Sequence, residues 1–201
     1  MGTDVKKGQI VEGIVEKVNF PNKGIVRIEE TDESTQDVSV VRAAVKGVLP
    51  GQKVRIRIKK ARKEKCQGML LEVLQHSEKE TAVPACPHFG TCGGCNYQTL
   101  PYEEQLAVKK EQVLDLIRPV CAGISDFQYD GIYGSPSPWE YRNKMEFSFG
   151  DEIKDGPLTL GLHKKGSFHD IIHAGGCRIV HPDFSRILDC VRDYCAQAGI
   201  P

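Results

Sequence analysis

Residues 53–59 read Lys53-Val54-Arg55-Ile56-Arg57-Ile58-Lys59, and charged and β-branched side chains alternate strictly along this stretch. Successive side chains of a strand point to opposite faces of its sheet. The alternation therefore predicts a strand that buries Val54, Ile56 and Ile58 and exposes a row of cations. The residues that precede this strand indicate the kind of sheet to which it belongs.

The first 75 residues contain further short β-branched runs, at residues 9–15, 24–28 and 37–41. Turn residues separate them, in Phe20-Pro21-Asn22-Lys23-Gly24 and in Leu49-Pro50-Gly51-Gln52. Four or five short strands within about seventy residues are typical of a small closed or partly open β-barrel. The sequence therefore predicts such a barrel over residues 1–75.

The positive charge of the chain is concentrated in this first third. The whole chain of 201 residues has 27 basic and 27 acidic side chains, whereas residues 53–65 alone have eight basic and one acidic. One-sided positive charge on a small barrel is typical of a nucleic-acid surface, which neutralises phosphates with little sequence preference. The candidate RNA contacts are Lys53, Arg55, Arg57 and Lys59. The alternative is an ordinary solvated barrel face.

The next stretch is rich in cysteine and glycine: Cys86-Pro87-His88-Phe89-Gly90-Thr91-Cys92-Gly93-Gly94-Cys95. Three cysteines with this spacing can ligate one metal ion or cluster only if the backbone between them turns tightly, which the glycines permit. An iron–sulfur cluster usually takes four thiolates. Cys177 is the best candidate for the fourth, because Gly175 and Gly176 precede it and allow close backbone approach.

Two alternatives to a cluster remain open for these cysteines. A structural zinc site also takes four thiolates, although zinc ligands usually come as two C-x2-4-C pairs and here only one such pair is present. The cysteines can also be unligated thiols, a reading that the polar, glycine-rich flanks disfavour. His88 is interpreted as a hydrogen-bonding neighbour. The other four thiols are expected to be unligated, namely Cys66, Cys121, Cys190 and Cys195.

Residues 101–201 mix helical and strand-like patterns. Pro101 suits a helix start, and apolar residues follow at helical spacing, at Leu106, Val113, Leu114 and Ile117. Strands are predicted at residues 144–149 and 158–163. An amphipathic helix closes the chain, with its apolar stripe formed by Phe184, Ile187, Leu188, Val191, Tyr194, Cys195 and Ala198.

A second candidate RNA contact lies in Trp139-Glu140-Tyr141-Arg142-Asn143-Lys144. Aromatic, guanidinium, amide and ammonium groups occur together there, and single-stranded RNA is held by stacking, phosphate contacts and amide hydrogen bonds. The alternative is a strand with ordinary surface charges. No stretch approaches the ~18 apolar residues of a membrane span, and the first residues do not form a secretory signal peptide. We therefore expect a cytoplasmic protein with reduced cysteines and no membrane partner.

These stretches together resemble the TRAM-containing RNA (uracil-5-)-methyltransferases, the family that includes the bacterial 23S rRNA m5U enzymes. Residues 1–75 look like a TRAM domain, an OB-like β-barrel that binds RNA. Residues 86–98 look like the family's Cys-x5-Cys-Gly-Gly-Cys-x-x-Gln loop, and residues 141–150 look like its Tyr-Arg-Asn-Lys-x-Glu-Phe-Ser-Phe-Gly segment. Residues 160–166 match the stretch that leads to the fourth ligand.

The resemblance implies an α+β protein with an OB-like TRAM barrel (1–75), a 4Fe–4S cluster loop (76–100) and a mixed α/β central domain (101–201). It implies cluster ligation by Cys86, Cys92, Cys95 and Cys177. It also implies RNA contacts on the barrel and at Arg142, Asn143 and Lys144, with ribosomal RNA as partner and a monomeric protein.

Members of the family continue into a doubly wound S-adenosyl-L-methionine domain that carries the nucleophilic cysteine and the general base. This chain has no Gly-x-Gly turn between a strand and a helix, and no Asp-Pro-Pro-Arg ahead of a cysteine. We therefore expect a fragment that lacks the C-terminal methyltransferase domain, contains no catalytic residues and is inactive alone. Two alternatives are a stand-alone RNA-binding module with a structural or redox-sensing cluster, and a zinc-stabilised interaction protein.

Overall fold

A computed structural model of the chain describes residues 5–31, 38–62 and 66–200, without the side chains of residues 30 and 31. Asp37 of the third predicted run and residues 63–65 of the basic stretch lie outside the described residues. The chain forms two compact units, each built from two separate segments. Unit 1 consists of Met1–Thr81 and Leu100–Ile132, and unit 2 consists of Ala82–Thr99 and Tyr133–Pro201.

Unit 1 contains a closed five-stranded barrel in the strand order β1-β2-β3-β5-β4. Neighbouring strands are antiparallel except for β3 and β5, which run parallel, and β4 closes the barrel by pairing with β1. The strands are β1 (Ile10–Asn19), β2 (Lys23–Thr31), β3 (Val38–Lys46), β4 (Lys53–Lys60) and β5 (Cys66–Gln75). The predicted barrel is confirmed.

Burial of β-branched side chains holds the barrel together. Val54, Ile56 and Ile58 of β4 are at most 1% exposed, as the alternation predicts. They share one core with inward-facing residues of the other strands, including Val15 and Val26. Each fully buried aliphatic side chain contributes about 1.5–3 kcal/mol to stability relative to its exposed state.

Helix α1 (Tyr102–Ile117) belongs to the same unit, and the predicted helix start after Pro101 is confirmed. Val108 packs against the barrel core. The ammonium of Lys17 on β1 lies 2.7 Å from the carboxylate of Asp115. Contacts with the barrel unit therefore add to the modest intrinsic stability of a short helix.

Unit 2 contains a small antiparallel sheet in the order β6-β7-β8 and one helix. The strands are β6 (Ser148–Gly150), β7 (Thr159–His163) and β8 (Ile171–His173), and the helix is α2 (Pro182–Gln197). His181 caps α2 by accepting a hydrogen bond from the N–H of Asp183 at 3.3 Å. Leu188 is 1% exposed and packs with Leu160 and Ala174. Neither helix of the described chain is long and apolar enough to cross a membrane.

Three details of unit 2 differ from the sequence expectation. The strand predicted at residues 144–149 is confined to Ser148–Gly150, and β8 was not predicted. Of the apolar stripe of α2, Leu188 is buried, whereas Ile187 and Tyr194 are more than 60% exposed. The sheet explains this exposure, because strands of three to five residues offer little apolar surface to a 16-residue helix.

Candidate metal centre and nucleic-acid surfaces

A compact turn brings the first two cysteines of the loop together. The carbonyl oxygen of Cys86 accepts the N–H of Phe89 at 3.1 Å, and the carbonyl oxygen of His88 accepts the N–H of Cys92 at 2.8 Å. Gly90 has a φ of +88°, a backbone conformation that side chains with a Cβ rarely adopt. The turn therefore requires a glycine at this position.

Strand β7 fixes the far side of the loop. The N–H of Gly93 donates to the carbonyl oxygen of His163 at 3.0 Å, and the N–H of Lys165 donates to the carbonyl oxygen of Thr91 at 2.6 Å. The N–H of Gly94 points at the Sγ of Cys92 from 3.3 Å. This backbone donor supports a negatively charged sulfur at Cys92.

His88 connects the loop with the segment that carries Cys177. Its Nε2 lies 2.7 Å from the carbonyl oxygen of Gly175. A carbonyl oxygen only accepts hydrogen bonds, so this contact assigns a proton to Nε2. The interpretation of His88 as a hydrogen-bonding neighbour is confirmed. The contact also holds Gly175 two residues before Cys177.

One pocket of unit 2 is lined by all four candidate ligands, Cys86, Cys92, Cys95 and Cys177. It has about 350 Å³ of empty space, part of which is open to solvent. His88 and apolar residues that include Leu162 and Ile179 complete its walls. All eight cysteines of the chain are free thiols.

Gln98 contributes an unsatisfied donor to the same pocket. Its Oε1 accepts the N–H of Cys86 at 3.2 Å, which fixes the orientation of the amide. Its Nε2 is buried and makes no hydrogen bond of ordinary geometry among the described residues, and the side chain lies close enough to Cys95 to lower the pKa of that thiol. A buried N–H without a partner costs about 1–3 kcal/mol, so the pocket favours an occupant that accepts a hydrogen bond.

Burial raises the pKa of the Cys92 and Cys95 thiols above the ordinary value of 9.0. The N–H of Gly94 at Cys92 and the side chain of Gln98 at Cys95 oppose this rise in pKa, and the other cysteines of the pocket add to it. Without a bound cation these thiols are therefore protonated at neutral pH. A positively charged occupant reverses that preference, because it stabilises the thiolate.

Within the described ranges, no three His, Cys, Asp or Glu side chains are grouped tightly enough to hold a single metal ion. Zinc with bonds of about 2.3 Å needs its sulfurs roughly 3.8 Å apart. The four thiols surround the pocket without such a convergence. The described residues therefore form a shared pocket but no preformed site for a single metal ion.

On the barrel, the four predicted contact residues of β4 divide into two pairs. Arg55 contacts Glu12 at 3.0 Å and Glu72 at 2.7 Å, and Lys53 contacts Glu12 at 3.2 Å. Arg57 and Lys59 have no carboxylate within 4.0 Å in the part of the chain that the structure describes. The second pair is therefore better placed to bind phosphate than the first.

The segment with Arg142, Asn143 and Lys144 lies on the surface of unit 2. The Nε of Arg142 donates to the carbonyl oxygen of Lys144 at 3.1 Å. Lys144 forms an ion pair with Glu146 at 2.7 Å, with both side chains at least 78% exposed. All three predicted residues are accessible to a polyanion.

Sequence reasoning did not select Gln98 or Glu12 as site residues. Gln98 follows Cys95 by three positions, so the sequence shows its place in the Cys-x-x-Gln motif. The orientation of its side-chain amide is known only from the folded structure. Glu12 and Arg55 are 43 positions apart and meet only because β1 pairs with β4. No local sequence signal predicts that contact.

No established protein-family pattern matches the chain. Three relatives are uncharacterized RNA methyltransferases. The one from Clostridium acetobutylicum is 41% identical over 197 residues, the one from Caldanaerobacter subterraneus subsp. tengcongensis is 40% identical over 195, and the one from Bacillus cereus is 30% identical over 201. These alignments cover 97–100% of the chain and 40% of each relative.

A solved structure shares the fold. The crystal structure of Pyrococcus abyssi tRNA (uracil-54, C5)-methyltransferase in complex with S-adenosyl-L-homocysteine matches with a TM-score of 0.62 and 17% identity. The match covers 94% of this chain and 38% of that one. Over nearly its whole length, the chain is therefore related to proteins named RNA methyltransferases, and it spans about 40% of their length.

Proposed function

We propose that the chain is the RNA-binding and iron–sulfur portion of an S-adenosyl-L-methionine-dependent RNA (uracil-5-)-methyltransferase that acts on 23S rRNA. The observation that carries this proposal is the pocket of unit 2, which is lined by four cysteine thiols and the side-chain amide of Gln98. The kinship with RNA methyltransferases supports the reaction class.

The residues of the pocket fit a 4Fe–4S cluster. Cys86, Cys92, Cys95 and Cys177 supply the four thiolates that such a cluster takes. The N–H of Gly94 and the Nε2 of Gln98 supply hydrogen bonds to sulfur, which are among the factors that set the reduction potential of a cluster. Bound there, the cluster supplies a cross-link between the loop and residue 177.

RNA is the proposed substrate of the whole protein. The barrel cations and Arg142–Lys144 bind phosphate, and the solved neighbour acts on uracil at C5. That neighbour contains S-adenosyl-L-homocysteine, which is what S-adenosyl-L-methionine becomes after it gives up its methyl group. We propose the same methyl donor here, bound outside this chain, in a cytoplasmic enzyme.

The proposal is tested with anaerobically purified protein. We expect about four irons per chain, a brown colour and broad visible absorbance. Cys177→Ala removes the iron, whereas the matched Cys121→Ala retains it. Bound zinc, or full iron in Cys177→Ala, contradicts the ligand assignment.

A second measurement tests the proposed RNA binding and the proposed absence of methyl transfer by this chain. The chain is incubated with labelled S-adenosyl-L-methionine and with 23S rRNA or tRNA. We expect RNA retention at low salt, stronger for 23S rRNA, and no methyl transfer by the chain alone. Label at C5 of uridine contradicts the assignment of catalysis to another part of the protein, and stronger retention of tRNA contradicts the proposed substrate.

A further inference from the structure

Two lysines lie directly opposite each other on adjacent strands of the barrel. Lys23 at the start of β2 pairs with Lys46 at the end of β3, and both side chains are exposed. Directly opposed residues have Cβ atoms about 4.5–5.5 Å apart, so like charges at such positions repel each other. In the described residues neither lysine has a carboxylate partner.

The same two strands contain a second pair of opposed cations, Arg27 and Arg42. Here the fold provides a carboxylate, because Glu16 bonds to Arg42 at 2.8 Å and lies 3.9 Å from Arg27. Arg42 and its neighbours hold the pKa of Glu16 below its ordinary value, so this carboxylate stays ionised. Among the described residues, carboxylates therefore contact the Arg27–Arg42 pair, and none contacts Lys23 or Lys46.

An exposed aromatic side chain lies in the turn that leads into Lys23. Phe20 is 61% exposed at the tip of the β1–β2 hairpin, between Asn19 and Lys23, which pair with each other across the turn. A phenyl ring at a hairpin tip adds nothing to the barrel core. Aromatic rings next to cations are the groups that hold single-stranded nucleic acid, because a base stacks on the ring while the cations bind phosphate.

We propose that this hairpin tip is a second RNA-contact site, in which Lys23 and Lys46 bind one phosphate and Phe20 stacks on an unpaired base. The site extends the proposed function and rests on its RNA-binding half. Its occupant is single-stranded RNA, because the bases of a duplex are stacked on each other and unavailable to Phe20.

The test measures binding of a short unstructured RNA, and of a duplex, by fluorescence anisotropy at several salt concentrations. Loss of one phosphate contact lowers the salt slope for a single strand by about 0.7. Because both lysines are proposed to bind the same phosphate, we expect this full decrease for the double variant Lys23→Gln/Lys46→Gln and a partial decrease for Lys46→Gln or Lys23→Gln alone. Arg42→Gln is the matched control, since it removes the same charge from the same strand where Glu16 already neutralises it. We expect a smaller decrease for Arg42→Gln.

Phe20→Leu keeps an apolar side chain but removes the ring. We expect it to weaken single-strand binding by roughly fivefold or more and to leave duplex binding unchanged, whereas Phe20→Tyr retains the affinity. The melting temperature of Lys46→Gln should equal or exceed that of the wild type, because the repulsion is removed. An unchanged or higher melting temperature shows that weaker RNA binding by Lys46→Gln comes from a lost contact and not from a less stable barrel.

Equal salt slopes for Lys46→Gln and Arg42→Gln overturn the phosphate assignment, and equal effects of Phe20→Leu on both RNAs overturn the stacking. In these outcomes the wild type still binds RNA, so the proposed function stands. If the wild type binds neither RNA at low salt, the RNA half of the proposed function fails as well.

Discussion

Arg142 donates its backbone N–H to the carbonyl oxygen of Ile179 at 2.9 Å, two residues after Cys177. A second bond runs from the N–H of Glu140 to the carbonyl oxygen of Arg178 at 3.0 Å. The segment proposed to contact RNA is thus bonded to the residues that follow the proposed fourth ligand. The proposed ligation at Cys177 would therefore restrain the position of Arg142.

This connection predicts that loss of the fourth ligand loosens the RNA-contact segment. Metal binding is coupled to local folding, so Cys177→Ala should speed hydrogen exchange at the amides of Glu140 and Arg142 by about tenfold. The measurement is hydrogen exchange of the cluster-loaded protein, followed by mass spectrometry of peptides from residues 138–144. Cys190→Ala, an exposed thiol on α2, is the matched control. Unchanged exchange in Cys177→Ala would argue against the coupling.

The ion pairs of the barrel predict unequal effects for two cations on one strand. Arg55 and then Lys53 lower the pKa of Glu12, which keeps this carboxylate ionised beside them. Lys53→Gln should therefore change the salt slope of RNA binding less than Arg57→Gln, which should remove roughly one phosphate contact. Glu12→Gln should strengthen binding, because it frees Lys53 and Arg55. A larger loss with Lys53→Gln than with Arg57→Gln is the contrary result.

The ion pair between Lys17 and Asp115 predicts a pH-dependent contribution to stability. The hydrogen bond from Lys17 lowers the pKa of Asp115 below its ordinary value of 3.8. The stabilisation is therefore fully present above pH 3.8 and is lost as the pH falls through the lowered pKa. Exposed pairs contribute about 0.2–1 kcal/mol. Urea unfolding should show Asp115→Asn less stable by this amount at pH 7, with no difference in strong acid or at high salt.

Gly161 on β7 predicts a strong effect of one added methyl group. A Cβ at this position would lie 1.8 Å from the carbonyl oxygen of Ile172 on the neighbouring strand. Gly161→Ala should therefore lower the free energy of unfolding, measured by urea unfolding, by about 1–3 kcal/mol or more. Gly123→Ala is the control, since a Cβ there meets nothing within 4 Å. Equal stability of the two variants would contradict the close approach of β7 and β8.

The barrel could be predicted because its signal is local. Alternation along residues 53–59 assigns Val54, Ile56 and Ile58 to the interior, and period-two patterns depend only on neighbouring residues. The cysteine loop was visible for the same reason. The sequence divides into three consecutive segments, whereas each compact unit combines two separate segments, and no pattern within a segment indicates that arrangement.

The remaining features depend on contacts between distant residues. Residues 144–149 have strand-like composition, but Arg142 forms a lone bridge with Val180 and only Ser148–Gly150 pairs in the sheet. β8 has three residues, Ile171–His173, which is too short for an alternation to be recognised. The orientation of the Gln98 amide depends on the bond between its Oε1 and the N–H of Cys86, which is 12 residues away.

The residues that hold the cysteine loop in place are synthesised later than the loop itself. Cys86, Cys92 and Cys95 leave the ribosome about 80 residues ahead of Cys177, an interval of roughly 4–16 seconds at about 5–20 residues per second. His163 and Gly175 follow Cys95 by 68 and 80 residues, so for most of this interval they do not hold the loop and its three thiols are open to oxidants and stray metal ions. Assembly of the proposed cluster therefore requires that these thiols stay reduced until translation has passed residue 177.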